Sequence, residues 1–316
     1  MAYQTGVVNS LADIQTAIRL FLVDNGWTWD AGSSTIHKDS MFVGFIAPAG
    51  DKVLFQAKTA LSGGTNAPRQ VGMGRMMHSG TGNITAVLTF PATYWASVVD
   101  DEFYFVLNYD SSRYQYVMWG QSTIADLGAG ATGMYISGAV NNQSHSTVTV
   151  NQGTGIVISP TSGGAISWYG SRSGAPFWLT TNLMTSGINL SADFVHTGIG
   201  SGGWDISDGG TDPGLWVGAG SFGNLMAVLP NTWNGESPLL PLRAYKRMPA
   251  SKVAMVADLQ HARYCRIDNF ADQEVITIGT DEWQVFPFHR RNMSARDGGT
   301  NIDHTGTFGW AIRKVS

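Results

Sequence analysis

Seven histidines, one cysteine and 23 acidic residues are the side chains of this 316-residue chain best equipped for chemistry. His37, His78, His145, His196, His261, His289 and His304 are scattered, with no His-Glu-x-x-His and no close pair. No zinc-protease helix is therefore written here. No serine sits in Gly-x-Ser-x-Gly. Cys265 has His261 four residues before it, but a nucleophile and its base form a pair in space, not in sequence, so a buried structural thiol is expected. Gly198 to Gly203 satisfies Gly-x-Gly-x-x-Gly. The turn-rich run from Trp204 to Gly214 that follows cannot open the helix on whose N-terminus a dinucleotide pyrophosphate would rest. Asp205, Asp208 and Asp212 lie among glycines, where oxygen ligands could gather around calcium. Their spacing fits no calcium loop, so a turn cluster is expected and cation binding stays open. Asp100-Asp101-Glu102 sets carboxylates side by side, while strand neighbours point to opposite faces. It reads as a solvated turn before Phe103 and not as the carboxylate pair of a glycosidase. The sequence carries no positive catalytic signal and implies no cofactor.

Recognition is written more clearly than catalysis. From Tyr114 to Leu242, 129 residues hold one basic residue, Arg172, and six acidic ones, whereas the segment after them holds eleven of the nineteen Lys and Arg. Only 13% of the chain is charged, against about a quarter in an ordinary soluble domain. Within the charge-poor middle lie Trp168, Tyr169, Trp178, Trp204, Trp216 and Trp233 among Gly, Ser, Thr and Asn. Aromatic enrichment with charge depletion suits a core or a subunit interface. The same residues suit stacking on sugar rings, so interface and glycan face both remain open. The net charge of −4 offers no field for nucleic acid. No run approaches the roughly 20 apolar residues that span a bilayer, and the N-terminus lacks the basic and apolar regions of a signal peptide.

These residues need elements to position them. Leu11, Ile14, Ala17, Ile18, Phe21 and Leu22 recur at three- and four-residue spacing, which predicts one amphipathic helix. Ser10 serves as N-cap and Asn25-Gly26 as stop. Trp27 to Trp29, Thr35 to His37 and Met41 to Ile46 read as strands beneath it. Thr85 to Phe90, Phe103 to Tyr109 and Tyr114 to Trp119 follow as β runs, the last two joined by a four-residue connection at Asp110 to Arg113. A second hairpin spans Glu274 to Phe286 around Thr280-Asp281. The expected fold is mainly β with one N-terminal helix, in sandwich or barrel-like domains. The expected division is an α+β unit at 1–125, a Gly/Trp-rich β domain at 126–238, and a C-terminal β segment at 239–316 packing with the first.

Several blocks have a familiar look. MAYQTGVVNSLADIQTAIRLFLVDNGWTW at the start resembles the N-terminus of structural proteins of tailed bacteriophages and prophages: a short leader, one helix, then an Asn-Gly-Trp turn. HARYCRIDNF, EVITIGTDEWQVFPFHRRN and HTGTFGWAIR near the end, with FYFVLNYDSSRYQYVMWG from Phe103, are similar to the same group. The resemblance implies a virion component of the neck, collar, tail or baseplate, assembled in the bacterial cytoplasm as a homo-oligomer among other virion proteins. It implies no catalytic site. The middle tryptophans are then expected at contacts, with Arg290, Arg291 and Arg296 facing acidic neighbours. A host cell-surface glycan held by the tryptophan face is the alternative partner. A glycan-cleaving enzyme would need two carboxylates about 5–10 Å apart in a tryptophan-lined groove.

Overall fold

Phe103, Phe105 and Leu107 enter one core while Tyr104 and Val106 enter another. A strand buried on both faces has no polar side to alternate with, so it reads as an unbroken apolar run. The rest of the architecture surrounds this strand. The computed structural model describes residues 1–50, 52–68, 70–74, 76–78, 84–86, 88–124, 127–141, 148–149, 157–159, 167–169, 193–198, 201–206, 215–217, 230–248, 252–296 and 306–315.

The chain opens with β1 (Ala2–Val8) and α1 (Leu11–Asp24), then β2 (Thr28–Asp30), β3 (Thr35–Lys38), β4 (Met41–Ala49), β5 (Lys52–Lys58) and β6 (Val71–Gly74). Short strands β7 (Met76–His78) and β8 (Ile84–Ala86) lead to β9 (Ala92–Val99), β10 (Glu102–Tyr109), β11 (Arg113–Gln121) and β12 (Met134–Asn141). The middle adds β13 (Val148–Thr149), β14 (Val157–Ser159), β15 (Ser167–Tyr169), β16 (Asp193–His196), β17 (Trp204–Ile206) and β18 (Leu215–Val217). Then come β19 (Leu240–Met248), β20 (Lys252–Arg266), β21 (Val275–Ile278), β22 (Asp281–Pro287) and β23 (Phe308–Lys314).

The protein is mainly β, with sandwich-like sheets and, among the described residues, a single α-helix near its N-terminus. The large sheet runs β1-β9-β10-β11-β12-β6-β5-β4-β3-β2, and a second runs β18-β19-β20-β23-β22-β21. Helix α1 packs on β1, β2, β4, β5 and β9. Its Ile14, Ile18, Phe21 and Leu22 join Trp27, Phe55, Phe103 and Trp119 in the first core. Phe103 and Trp119 lie 4.4 Å apart between ring centroids. The Ser10 hydroxyl accepts from the Asp13 N–H at 3.2 Å, which caps the helix as expected. Gly26, at φ +86°, turns the chain out of it.

The second core lies between the sheets. Trp95, Tyr104 and Tyr116 from the large sheet meet Phe286, Phe288 and Trp310 from the second. Strands of the C-terminal segment therefore pack on the large sheet. A third, smaller core of Cys265, Ile267, Trp283, Val285 and Ala311 lies beneath Leu239, Phe270 and Ile276.

Some boundaries differ from expectation. β12, β16 and β17 join the large sheet and β18 joins the second, so 126–238 contributes strands to both neighbours. Tyr109 pairs with Arg113, which leaves a connection of Asp110, Ser111 and Ser112, the first two at positive φ. Ile278 pairs with Asp281, so the later turn is Gly279-Thr280. In the run from Thr85 only Ile84–Ala86 forms a strand, and a cis Phe90-Pro91 peptide precedes β9. The sequence reading missed β1 altogether. It is an edge strand whose pattern buries only Val8 fully.

Candidate functional site

The most concentrated group of titratable side chains is buried between the two sheets. Glu102 begins β10 facing the second sheet and is 4% exposed. One carboxylate oxygen accepts from the Gln260 N–H at 2.9 Å; the other accepts from the His261 N–H at 2.9 Å and the Tyr104 hydroxyl at 2.6 Å. Those amides belong to a bulge in β20: Leu259 pairs with Leu242 and Arg263 with Pro241, so the residues between have no partner on β19. Burial pushes the Glu102 carboxyl above its ordinary range, against the opposing pull of the Tyr104 hydroxyl and the two amides. Burial also holds Tyr104 and Tyr135 well above the usual phenol value, with Glu102 adding to both.

Gly120 makes room for this arrangement. It stands between Glu102 and Tyr135 in the strand register, and a Cβ there would collide with the Tyr135 hydroxyl and the Asp101 carbonyl. The expected solvated turn is thus real for Asp100 and Asp101 but wrong for Glu102. The reason is tertiary: the amides that hold Glu102 arrive from β20. A carboxylate already engaged by three donors and closed off from solvent holds layers together and has no oxygen free to meet a substrate.

His261 and Cys265 do not form a pair. The His261 Nε2 lies 3.0 Å from the Asp100 carboxylate. Cys265 belongs to the third core, where burial pushes its thiol well above the ordinary range. Cys265 is expected to stay unmodified by a thiol reagent in the native protein and to react fully in denaturant. Rapid labelling of the native chain, read by mass spectrometry, would contradict this placement.

Gly198 to Gly203 joins β16 to β17, with the Thr197 and Gly198 amides both donating to the Gly203 carbonyl, and opens no α-helix. Asp205 is buried and accepts from the Thr197 hydroxyl. Asp208 and Asp212 lie outside the described residues. No cluster of three His, Cys, Asp or Glu suited to a metal ion occurs among the described residues.

The aromatic candidates separate sharply. Trp204 is buried against His196, with ring centroids 5.0 Å apart, so it belongs to the core and to no exposed face. The His196 Nδ1 accepts from the Thr132 N–H at 3.0 Å, and burial lowers this imidazole's pKa. Trp168 and Tyr169 pair with Ile158 and Val157 on β14, and Trp216 pairs with Tyr245. Trp178 lies outside the described residues. Trp233 is 94% exposed. Its indole stands clear of the chain.

Trp233 sits on the turn whose flanking residues line an open groove of about 800 Å³. The walls are Asn231, Asn234, Glu236 and Ser237 on one side and Ile276 to Ile278 of β21 on the other, with Leu239 and Phe270 between. The loop is internally ordered. The Asn231 carboxamide oxygen accepts from the Trp233 N–H at 2.9 Å, and that of Asn234 accepts from the Glu236 N–H at 3.1 Å. The Asn269 amide donates to the Gly235 carbonyl at 3.0 Å and ties the loop to the second sheet. No signal in the sequence joined this loop to β21, some forty residues away.

Neither protein-family models nor curated proteins yield a match to this chain. Geometry and residue chemistry therefore carry the functional reading.

Two of the arginines expected at an interface, Arg291 and Arg296, meet acids of their own chain. Arg291 donates to the Asp268 carbonyl at 3.3 Å and lies 3.5 Å from the Asp272 carboxylate. The half-exposed Arg296 lies 3.2 Å from the Asp268 carboxylate. Arg290 is half-buried near the start of the connection after β22.

Proposed function

We propose that this chain is a non-enzymatic structural component of a tailed-phage virion, in the neck, collar, tail or baseplate. It acts by assembling with copies of itself and with other virion proteins. One observation carries the reading. Helix α1 is apolar on both sides: Ala12, Thr16, Leu20 and Val23 recur on its outward face, where Leu20 is 50% and Val23 41% exposed. The helix packs on β1, the edge of the large sheet, whose Val7 is 58% exposed. An uncharged stripe on a helix already buried along its other face, next to a strand with one partner among the described residues, is a surface that assembly would cover. The resemblance of the terminal blocks to phage structural proteins points the same way, and closure into a ring or trimer is the expected symmetry.

Leu20→Lys with Val23→Lys tests it. Lysine in the last turn of a helix opposes no dipole, so the fold and its melting temperature are expected to stay as they are. Self-association is expected to weaken at least about tenfold, measured by mass photometry of the full chain and by incorporation into particles. An oligomer distribution identical to the parent chain's would remove this face from the interface. A parent chain that neither self-associates nor enters particles would end the structural reading itself.

A further inference from the structure

We propose that the groove between the 231–239 loop and β21 binds a neutral oligosaccharide, with Trp233 as the stacking platform. This goes beyond the assembly role and uses a different surface from the outward face of α1. Three observations converge on saccharide chemistry.

The first is Trp233 itself. At 94% exposed, it has no packing role that would account for a large apolar side chain on a turn. A flat indole in water beside a groove is suited to the apolar C–H face of a pyranose ring.

The second is the set of unused polar groups around it. The carboxamide oxygens of Asn231 and Asn234 are engaged by the loop, which leaves the two NH₂ groups to donate. Glu236 forms no ion pair among the described residues, so both its oxygens can accept from vicinal hydroxyls. Donors and acceptors in one place match a ligand that is itself donor and acceptor at every carbon.

The third is size and charge. About 800 Å³ falls within the range of small-molecule sites, about 300–1,000 Å³. Leu239, Phe270 and Ile276 supply apolar lining. Among the described lining residues Glu236 is the charged one, with no Lys or Arg beside it to pair with a sugar acid. The groove should therefore prefer neutral or N-acetylated sugars and disfavour uronic acids. Among the described lining residues Glu236 is the one carboxylate, and the proposal is of binding alone.

The test titrates the full chain with chitotetraose, maltotetraose and tetragalacturonate, followed by tryptophan fluorescence and by NMR of the ligand. Saturable binding of at least one neutral tetrasaccharide is expected at up to about 1 mM, with tetragalacturonate at least about tenfold weaker. Trp233→Ala should reduce that binding about tenfold or more, in line with loss of an aromatic anchor, and Glu236→Ala should reduce it independently. Both positions are exposed, so neither change is expected to disturb the fold or the oligomer. No saturable binding by any of the three sugars would overturn the proposal. So would neutral-sugar binding that Trp233→Ala leaves intact. If Trp233→Ala instead changes the oligomeric state while sugars do not bind, the groove is a protein contact and the saccharide reading fails. The α1 variant is the control that separates this result from failure of the assembly role.

Discussion

Asp268→Ala is expected to destabilise the protein by about 3–5 kcal/mol, the cost of leaving a buried charge without its counter-ion. The side chains of Arg266 and Asp268 are each 1% exposed and lie 3.1 Å apart. Arg266 also donates to the Thr307 hydroxyl at 2.8 Å and rests 4.4 Å from the Phe308 ring centroid. Asp268 is shared, since its second oxygen lies 3.2 Å from Arg296. Removing the acid leaves a guanidinium that cannot shed its proton and cannot reach water. Arg296, half exposed, would simply turn to solvent. The two changes that follow differ in what they remove. Asp268→Asn keeps a hydrogen-bond acceptor but not the charge and should fall between parent and alanine. Arg266→Met with Asp268→Leu removes both charges and should cost less than Asp268→Ala alone, because the pair's own desolvation penalty disappears with it. Urea midpoints at constant slope decide the matter. An Asp268→Ala loss below about 1 kcal/mol would show that the pair behaves like a surface contact.

The network also explains a segment that the sequence describes poorly. Arg266 reaches the Arg296 carbonyl at 3.3 Å, and the Ile267 and Thr307 amides donate to the Thr307 and Arg296 carbonyls. The connection between β22 and β23 is thereby fastened to the end of β20 at Arg296 and at Thr307. Arg291 and Arg296, two of the arginines expected to face acidic neighbours, find them within this fastening.

What was legible in the sequence was local. The spacing of Ile14, Ile18, Phe21 and Leu22 placed α1, and its Ser10 cap is seen as expected. β10 and β11 were legible because both their faces are buried, which leaves long aromatic and β-branched runs. What was not legible depends on partners far along the chain. The Tyr3 hydroxyl donates to the Gln284 carboxamide at 2.8 Å, and the Ser97 hydroxyl to the Arg313 carbonyl at 3.2 Å. No periodicity near residue 3 announces a contact near residue 284. For the same reason tryptophans that looked alike in composition met different fates. Trp204 was drawn into the core by pairing of β16 with β17, while Trp233 was left on a turn.

Glu102 is the residue whose reading the structure changed most, and Glu102→Ala is expected to cost about 3–5 kcal/mol. It would leave the Gln260 and His261 amides of the β20 bulge, and the Tyr104 hydroxyl, without their acceptor, and each orphaned buried donor costs about 1–3 kcal/mol. Glu102→Gln should lie between, since a carboxamide can accept from one amide but turns its own NH₂ toward the other donors. The charge adds a pH signature with a definite sign. Burial raises the folded-state pKa of Glu102 above its ordinary value of 4.5. The folded protein therefore binds this proton more tightly than the unfolded chain does. Its contribution to stability is complete below about pH 4.5 and is lost as the pH climbs through the raised folded value. The Asp30 carboxyl, held below its ordinary value by hydrogen bonds from Ser33, acts in the opposite sense, so the total profile of the parent need not fall over this window. The difference between parent and Glu102→Gln isolates the term: the parent should lose stability relative to the variant as the pH rises from 4.5 toward neutrality. Urea midpoints taken across that window supply the comparison. Parallel profiles would mean that Glu102 titrates as it does in the unfolded chain, and the buried junction between the two sheets would then need another explanation.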